Sequence, residues 1–342
     1  MSQFLDKLNE LEKSIVSTLA YFKVHKYPLT LMEIYKWRNQ NFQFPILQQA
    51  QDKFSDFQPE KIKVSDIQEA LDKKDNLKKI IKCKNGFYYL DGSEDLVELR
   101  KKRHNLAQDR WKKLRKIAKI LQIIPNIKMF AACNTLVLND IKENSDIDVF
   151  VIIKEGRMWQ TRFYITALVA LLGQWRHKSN IANKICLSFY ITDKNLNLKR
   201  LSKKPYDPML VYWITFVYPL LDRGIYDKFI EENNWIREYL PNVIKYNPNL
   251  LERKVDKIFI FDILRRLSEA VLNTKIGDLL EKLFKNIQEG KMKKNTDSWK
   301  RDDTDVIISD QMLKFHEKDR RDKFREMYEE NLRQGVNRLG CR

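Results

Sequence analysis

The run Asn144-Ser145-Asp146-Ile147-Asp148-Val149-Phe150-Val151-Ile152-Ile153 constrains this chain more than any other stretch. Acidic and apolar residues alternate and then give way to a continuous apolar run, the pattern of a strand entering a core. Residues two apart on a strand project from one face, so Asp146 and Asp148 present two carboxylates side by side while Ile147, Val149 and Val151 turn to the core. Two like charges on an otherwise apolar strand are costly without a counter-ion. A divalent cation supplies one, and Mg²⁺, or Mn²⁺ in its place, takes one or two carboxylates together with phosphate oxygens of a substrate. Ser145, in front of the pair, can hold the loop or reach a phosphate. The same DxD pattern also occurs as a plain surface feature, so its surroundings decide.

Upstream, apolar residues at Leu11, Ile15, Leu19 and Phe22 have helical spacing, and Pro28 with Thr30 and Glu33 marks a turn into a capped second helix carrying Leu31, Ile34 and Trp37. A third helix is predicted at Val64–Leu71, with Ser65 as its N-cap. Asn85-Gly86 between the β-prone runs Leu77–Lys84 and Phe87–Leu90 is a strong hairpin signal, because both turn positions need positive φ. Three helices followed by a hairpin, with Lys78, Lys79, Lys82 and Lys84 on or near it, look like a winged helix-turn-helix over residues 1–95. Its candidate recognition helix is Ser65–Lys74 and its wing tip Lys84-Asn85-Gly86, which makes nucleic acid a candidate partner. Asp66, Glu69 and Asp72 would repel phosphates, so docking to a protein partner stands beside it.

A long helix is predicted over Leu96–Leu121, with Trp111, Leu114, Ile117, Ala118 and Leu121 on one face and a basic run from Arg100 to Lys119 on the other. Strands follow at Ile127–Cys133 and Asp146–Ile153, then a helix at Met158–Leu172 and a strand at Ile185–Thr192. Residues 96–205 thus read as a central α/β domain with a small mixed sheet. Residues 206–342 read as a helical C-terminal region, with Met209–Leu221 a buried helix, further helices at Ile258–Asn273 and Ile276–Gln288, helical periodicity over Val306–Arg333, and a mobile loop at 290–303. The fold class is α+β.

The segment Met129–Ile153 resembles the nucleotidyltransferase superfamily typified by DNA polymerase beta, whose signature is a hydrophobic strand ending in Gly-Ser, a loop of roughly ten residues, and Asp-hydrophobic-Asp-hydrophobic on the next strand. Here Asn134-Thr135 stands at the Gly-Ser position and Asp146-Ile147-Asp148-Val149 at the second. More loosely, the whole chain resembles bacterial proteins in which a winged-helix region precedes such a domain and a helical tail follows. The Tyr27-Pro28-Leu29-Thr30, Thr161-Arg162-Phe163 and Ser309–His316 segments carry that likeness. The resemblance implies a metal-dependent transfer of a nucleoside monophosphate from a nucleoside triphosphate to a hydroxyl acceptor. Asp146 and Asp148 would be the catalytic metal ligands, and Asn134, Thr135 and Ser145 the nucleotide-contacting residues.

This chain departs from the pattern twice. Asn134 replaces a glycine, although Asn tolerates positive φ better than most residues. The strand Ile185-Cys186-Leu187-Ser188-Phe189-Tyr190 has no acid where active members carry a third carboxylate; Cys186 and Ser188 are expected on its site-facing side, and Asp193 just beyond it is a candidate substitute. The alternative function is therefore a catalytically silent nucleotide-binding or regulatory protein. His177 and His316 are further polar candidates near the site, each with packing or loop solvation as the plainer explanation.

A net charge of +18, from 64 Lys and Arg against 46 Asp and Glu, favours an anionic partner, though a lysine-rich surface can also be merely solvated. The four cysteines, Cys83, Cys133, Cys186 and Cys341, are scattered, without a CxxC pair. They predict no zinc knuckle or disulfide framework and fit a reducing cytoplasm. The longest apolar run, Met209–Leu221, falls short of the roughly 20 residues a membrane span needs. No P-loop, GxGxxG, HExxH or GxSxG pattern occurs.

Overall fold

The computed structural model describes residues 8–40, 62–90, 95–176, 180–243, 253–295, 300, 304–316 and 319–340. Helix α1 (Glu10–Val24) starts where Asn9 and Glu12 cap one another: the Asn9 side chain accepts from the Glu12 amide at 2.9 Å, and Glu12 accepts from the Asn9 amide at 3.1 Å. A short strand β1 (Leu29–Thr30) runs into α2 (Leu31–Trp37), capped by the reciprocal Thr30 and Glu33 bonds expected from their spacing.

Helix α3 (Val64–Lys73) begins two residues earlier than a Ser65 cap implies. Lys63, not Ser65, is its N-cap, because the Asp66 carboxylate accepts the Lys63 amide at 2.7 Å and closes the first turn without a hydroxyl. Residues Leu77–Ile80, expected as strand, belong to a further helix α4 (Asp75–Ile80) in which Leu77 and Ile80, three apart, are both buried. The hairpin then follows as β2 (Ile81–Lys84) and β3 (Phe87–Leu90), with Asn85 at φ 53° and Gly86 at φ 76°. Strand β3 pairs antiparallel with both β1 and β2, giving a three-stranded sheet of order β1-β3-β2.

Helix α5 (Leu96–Leu121) buries the predicted face from Trp111 to Leu121. Part of its basic face is also used inside the fold: Arg103 pairs with Asp140 at 2.9 Å, and Arg100 pairs with Glu33 at 2.6 Å. The second sheet is built on β4 (Ile127–Ala132), β5 (Ile147–Ile153) and β6 (Ile185–Thr192), with α6 (Met158–Leu171) joining β5 to β6. Strand β5 runs antiparallel to β4 and parallel to β6, and its residues from Val149 to Ile153 are buried.

The C-terminal region is not the helical unit its periodicity suggests. Met209–Leu221 divides into α7 (Pro208–Thr215) and strand β7 (Tyr218–Asp222), which pairs with β4. An apolar run cannot by its composition distinguish a buried helix from a buried strand. Pro219 is accommodated on β7 because β7 is an edge strand, and the β4–β7 register shifts beside it, between Phe130 opposite Leu221 and Ala131 opposite Pro219. Helices α8 (Tyr226–Glu232), α9 (Phe259–Leu272) and α10 (Lys275–Asn295) follow. Helix α10 continues through 290–295, the first part of the stretch expected as a mobile loop; residues 296–299 and 301–303 lie outside the described residues.

Val306–Phe315 forms a hairpin, β8 (Val306–Ile308) and β9 (Met312–Phe315), instead of helix. Strand β9 pairs antiparallel with β6, so the full order is β7-β4-β5-β6-β9-β8 and residues beyond 206 supply three of the six strands. Helix α11 (Arg321–Gly340) then returns to α1, where the hydroxyls of Tyr328 and Ser17 lie 2.5 Å apart in a buried contact.

Candidate functional site

Strand β5 places the acidic pair at its N-terminal end, beside β6. Asp148 stands opposite Cys186 in the parallel register, so the carboxylates of Asp146 and Asp148 and the Cys186 thiol converge, with one ligand atom from each within 4.8 Å of the others. Both acids are partly exposed and Cys186 is buried. The position where a third carboxylate was sought on β6 is therefore a thiol. Its Sγ donates to Ser188 Oγ at 3.3 Å, so Cys186 and Ser188 share the face the alternation assigned to them.

Asn134 opens the short turn Asn134–Leu136 after β4 with φ 57°, a left-handed conformation that Asn adopts more readily than most residues. Its Nδ2 donates to Asp148 Oδ2 at 3.0 Å. The Thr135 carbonyl accepts the Asp140 amide at 2.8 Å, and the Ser145 carbonyl accepts the Asn183 amide at 2.9 Å. The loop ahead of Asp146 is thus braced through the Ser145 backbone.

Arg176 is the site residue that the sequence analysis did not single out. A bridge between Trp175 and Ile185 brings it alongside β6, where its Nη1 lies 2.8 Å from Asp146 Oδ2 and 3.1 Å from Cys186 Sγ. The only signal for it in the sequence is a lone arginine in the connection just before the Cys186 strand.

The electrostatics follow from burial and crowding. Burial first, and then the neighbouring Asp146 charge, raise Asp148 from the ordinary carboxylate value to about 6, against the hydrogen bond from Asn134. Burial, with Asp148 and Asp146 adding to it, pushes Cys186 up to about 12, so it is a thiol at neutral pH. Burial works against the Arg176 charge, but Cys186 and Asp146 outweigh it and leave the guanidinium pKa raised.

Two cavities, of about 760 and 360 Å³, share a wall formed by Asn134, Met209, Trp213 and Phe324. The larger takes in Arg176, Cys186, Ser188 and His316, with exposed Arg320 at its edge; the smaller takes in Thr135, Ser145, Asp148 and exposed Lys142. Asn134 and Thr135 from the turn after β4, and Ser145 and Asp148 at the entry to β5, thus border one hollow, and Cys186 opens onto its neighbour.

Asp193 is not brought to the site. Seven residues beyond Cys186 on β6 place it roughly 23 Å away at an extended rise, and its carboxylate accepts the Glu155 amide at 2.9 Å. His316 does reach the larger cavity from the end of β9. Burial, then Lys314, push its imidazole down to about 3, so it is neutral, and its Nδ1 is buried without a hydrogen-bond partner among the described residues. His177 lies outside the described residues.

No protein-family model matches this chain, and no curated protein or solved structure matches it significantly. Among the described residues, no helix is long and apolar enough to cross a membrane.

Proposed function

We propose that the chain binds a divalent metal complex of a nucleoside triphosphate at Asp146 and Asp148, in a nucleotidyltransferase-like site adapted to binding more than to turnover. One observation carries this proposal: the two carboxylates converge with a thiol, not a third carboxylate, beside cavities large enough for a nucleotide. Two carboxylates plus phosphate oxygens suit Mg²⁺ or Mn²⁺. The thiol is a softer donor that Mg²⁺ does not favour, and it is a weak base for a hydroxyl proton. Bound there, the metal would neutralise the triphosphate and the acidic pair together.

The chain's own residues do the rest. Asn134 holds Asp148 through Nδ2, Ser145 braces the loop before Asp146, and Arg176 carries the positive charge that balances Asp146 before a metal arrives. Thr135 and Lys142 border the hollow on the triphosphate side, and Arg320 edges the neighbouring cavity.

The retained Asp pair favours a second possibility, transfer of a nucleoside monophosphate to a hydroxyl acceptor. The N-terminal helices and hairpin fit a winged helix in this scheme. Exposed Glu69 and Asp72 on α3 favour a protein partner over nucleic acid there, although Lys82 on the hairpin is exposed too.

Incubation with labelled nucleoside triphosphates, Mg²⁺ or Mn²⁺ and cell extract tests the proposal. Metal-dependent retention of nucleotide with no transferred label is expected. Label transfer that disappears in Asp146→Asn plus Asp148→Asn would make the protein an enzyme instead. No retention in either metal would overturn nucleotide binding altogether.

A further inference from the structure

Helix α9 is built inside out. Of its fourteen residues none is buried, and six large apolar side chains from Phe259 to Val271 are more than a third exposed, with Phe259 at 80% and Leu267 at 62%. At 100° per residue these six fall within an arc of about 140°, a single stripe facing away from the molecule. The opposite face carries half-buried Phe261 and Leu272 beside the Arg265 guanidinium, which pairs with Asp262 and Glu269 of the same helix, and it is tied to the rest of the fold where Glu269 accepts the Asn126 amide at 2.8 Å.

Helix α10 extends the same surface. Its inner side is fixed to α6, where the Glu281 carboxylate caps the helix by accepting the Trp159 and Gln160 amides at 2.8 and 3.0 Å, and Phe284 stacks on Phe163 at 4.3 Å. Its outer side carries four more exposed apolar residues, from Ile276 to Ile287, with Leu279 at 69%. The two helices meet at a sharp junction. A Cβ at Gly277 would lie 1.7 Å from the Leu272 carbonyl oxygen, an impossible overlap, so only glycine allows the approach. Val271 and Ile276 flank that junction, which joins the two stripes.

Ten large apolar side chains, each more than a third exposed, present on the order of 1,000 Å², against the roughly 300–600 Å² of the largest patch on a typical monomer and the roughly 800 Å² each partner contributes to a standard interface. Arg265 and Arg266 are both paired to carboxylates within α9, whereas Lys275, Lys282, Lys291 and Lys294 of α10 are exposed, so it is the apolar area, not the charge, that puts this surface in the range of a protein interface.

We infer that the α9–α10 surface is a homodimer interface, covered in solution by the same surface of a second copy. A two-fold axis places one hairpin on the other, closes four helices around a shared apolar centre, and leaves neither stripe uncovered. The acidic pair lies on other elements, so this inference stands independently of nucleotide binding.

Analytical ultracentrifugation of the full chain tests it. Wild type is expected to sediment at twice its 41.1 kDa mass at micromolar concentration. Leu267→Glu plus Leu279→Glu, two changes at exposed positions, is expected to be a monomer with an unchanged circular dichroism spectrum and at least a hundredfold weaker self-association. Hydrogen exchange on wild type alone gives an independent measure, because protection over residues 259–287 should rise with protein concentration. A wild type that stays monomeric into the high micromolar range overturns the inference, whether or not it sediments with phosphatidylglycerol vesicles. So does a dimer that persists in the double variant.

Discussion

The Arg176 guanidinium lies 2.8 Å from the Asp146 carboxylate, in the position a metal ion would contest. This pairing lowers the cost of holding two carboxylates together before a cation binds, and it makes the cation compete with a fixed charge. Arg176→Ala is therefore expected to raise Mn²⁺ affinity about tenfold in the absence of nucleotide, a change of roughly 1.4 kcal/mol. Paramagnetic titration of free Mn²⁺ checks this, and an unchanged or weaker affinity would show that Arg176 does not occupy the contested position.

Cys186 faces Asp148 across the parallel pair of β5 and β6. Replacing its thiol with a carboxylate completes a three-acid site on the same backbone. Cys186→Asp should tighten Mg²⁺ binding at least tenfold and bring label transfer from a nucleoside triphosphate above background. Thermal melting with and without Mg²⁺ measures the first effect, because a ligand that binds only the folded state raises the melting temperature.

Asp148 gives the protein a pH signature. Its native pKa of about 6 lies above the ordinary 3.8, so between those values the native state binds more protons than the unfolded state, and stability falls as pH rises. Above about pH 6 the buried charge is a standing cost. Asp148→Asn should then be more stable than wild type by on the order of 2 kcal/mol, after allowance for partial exposure, with the gap closing toward pH 4. Calorimetric melting at pH 7.5 and pH 4.5 measures it; an equal gap at both values would contradict the assignment.

Asn134 holds a left-handed backbone and donates to Asp148 at once. Asn134→Gly loses the donor and, having no Cβ, keeps the backbone without strain, whereas Asn134→Ala loses the donor and keeps a Cβ at positive φ without the polar side chain that eases Asn into that region, at about 1 kcal/mol. The alanine variant should melt lower than the glycine variant, while both lose the same Asp148 contact and bind metal equally weakly.

Features set by local geometry were legible in the sequence. The Thr30 and Glu33 capping box, the Asn85-Gly86 turn and the span Leu96–Leu121 all appear where their residues put them, because each depends on neighbours within a few positions. Strands β7 and β9 were not legible. Their partners β4 and β6 lie far away in sequence, and the apolar content of Met209–Leu221 and Val306–Phe315 suits either periodicity until a partner edge is available.

The site divides in the same way. Asp146 and Asp148 could be placed together from a two-residue period, and Cys186 with Ser188 from the same rule on the next strand. Arg176 could not, since its approach depends on the Trp175–Ile185 bridge, and the distance of Asp193 from the acidic pair became apparent only with the β5–β6 register. The exposed face of α9 had an ordinary amphipathic period in the sequence. Only the structure shows that its broad apolar stripe is the outer one.

The proposed binding of a metal–nucleotide complex at Asp146 and Asp148 is tested by a paired titration. Binding of Mn²⁺ with a nucleoside triphosphate is measured by paramagnetic resonance for wild type and for Asp146→Asn plus Asp148→Asn, with matched melting curves as the control for folding. Wild type is expected to bind the complex more tightly than either Mn²⁺ or nucleotide alone, and the double variant, still folded, to lose this at least a hundredfold. Equal binding by the two proteins, or none by wild type, would contradict it.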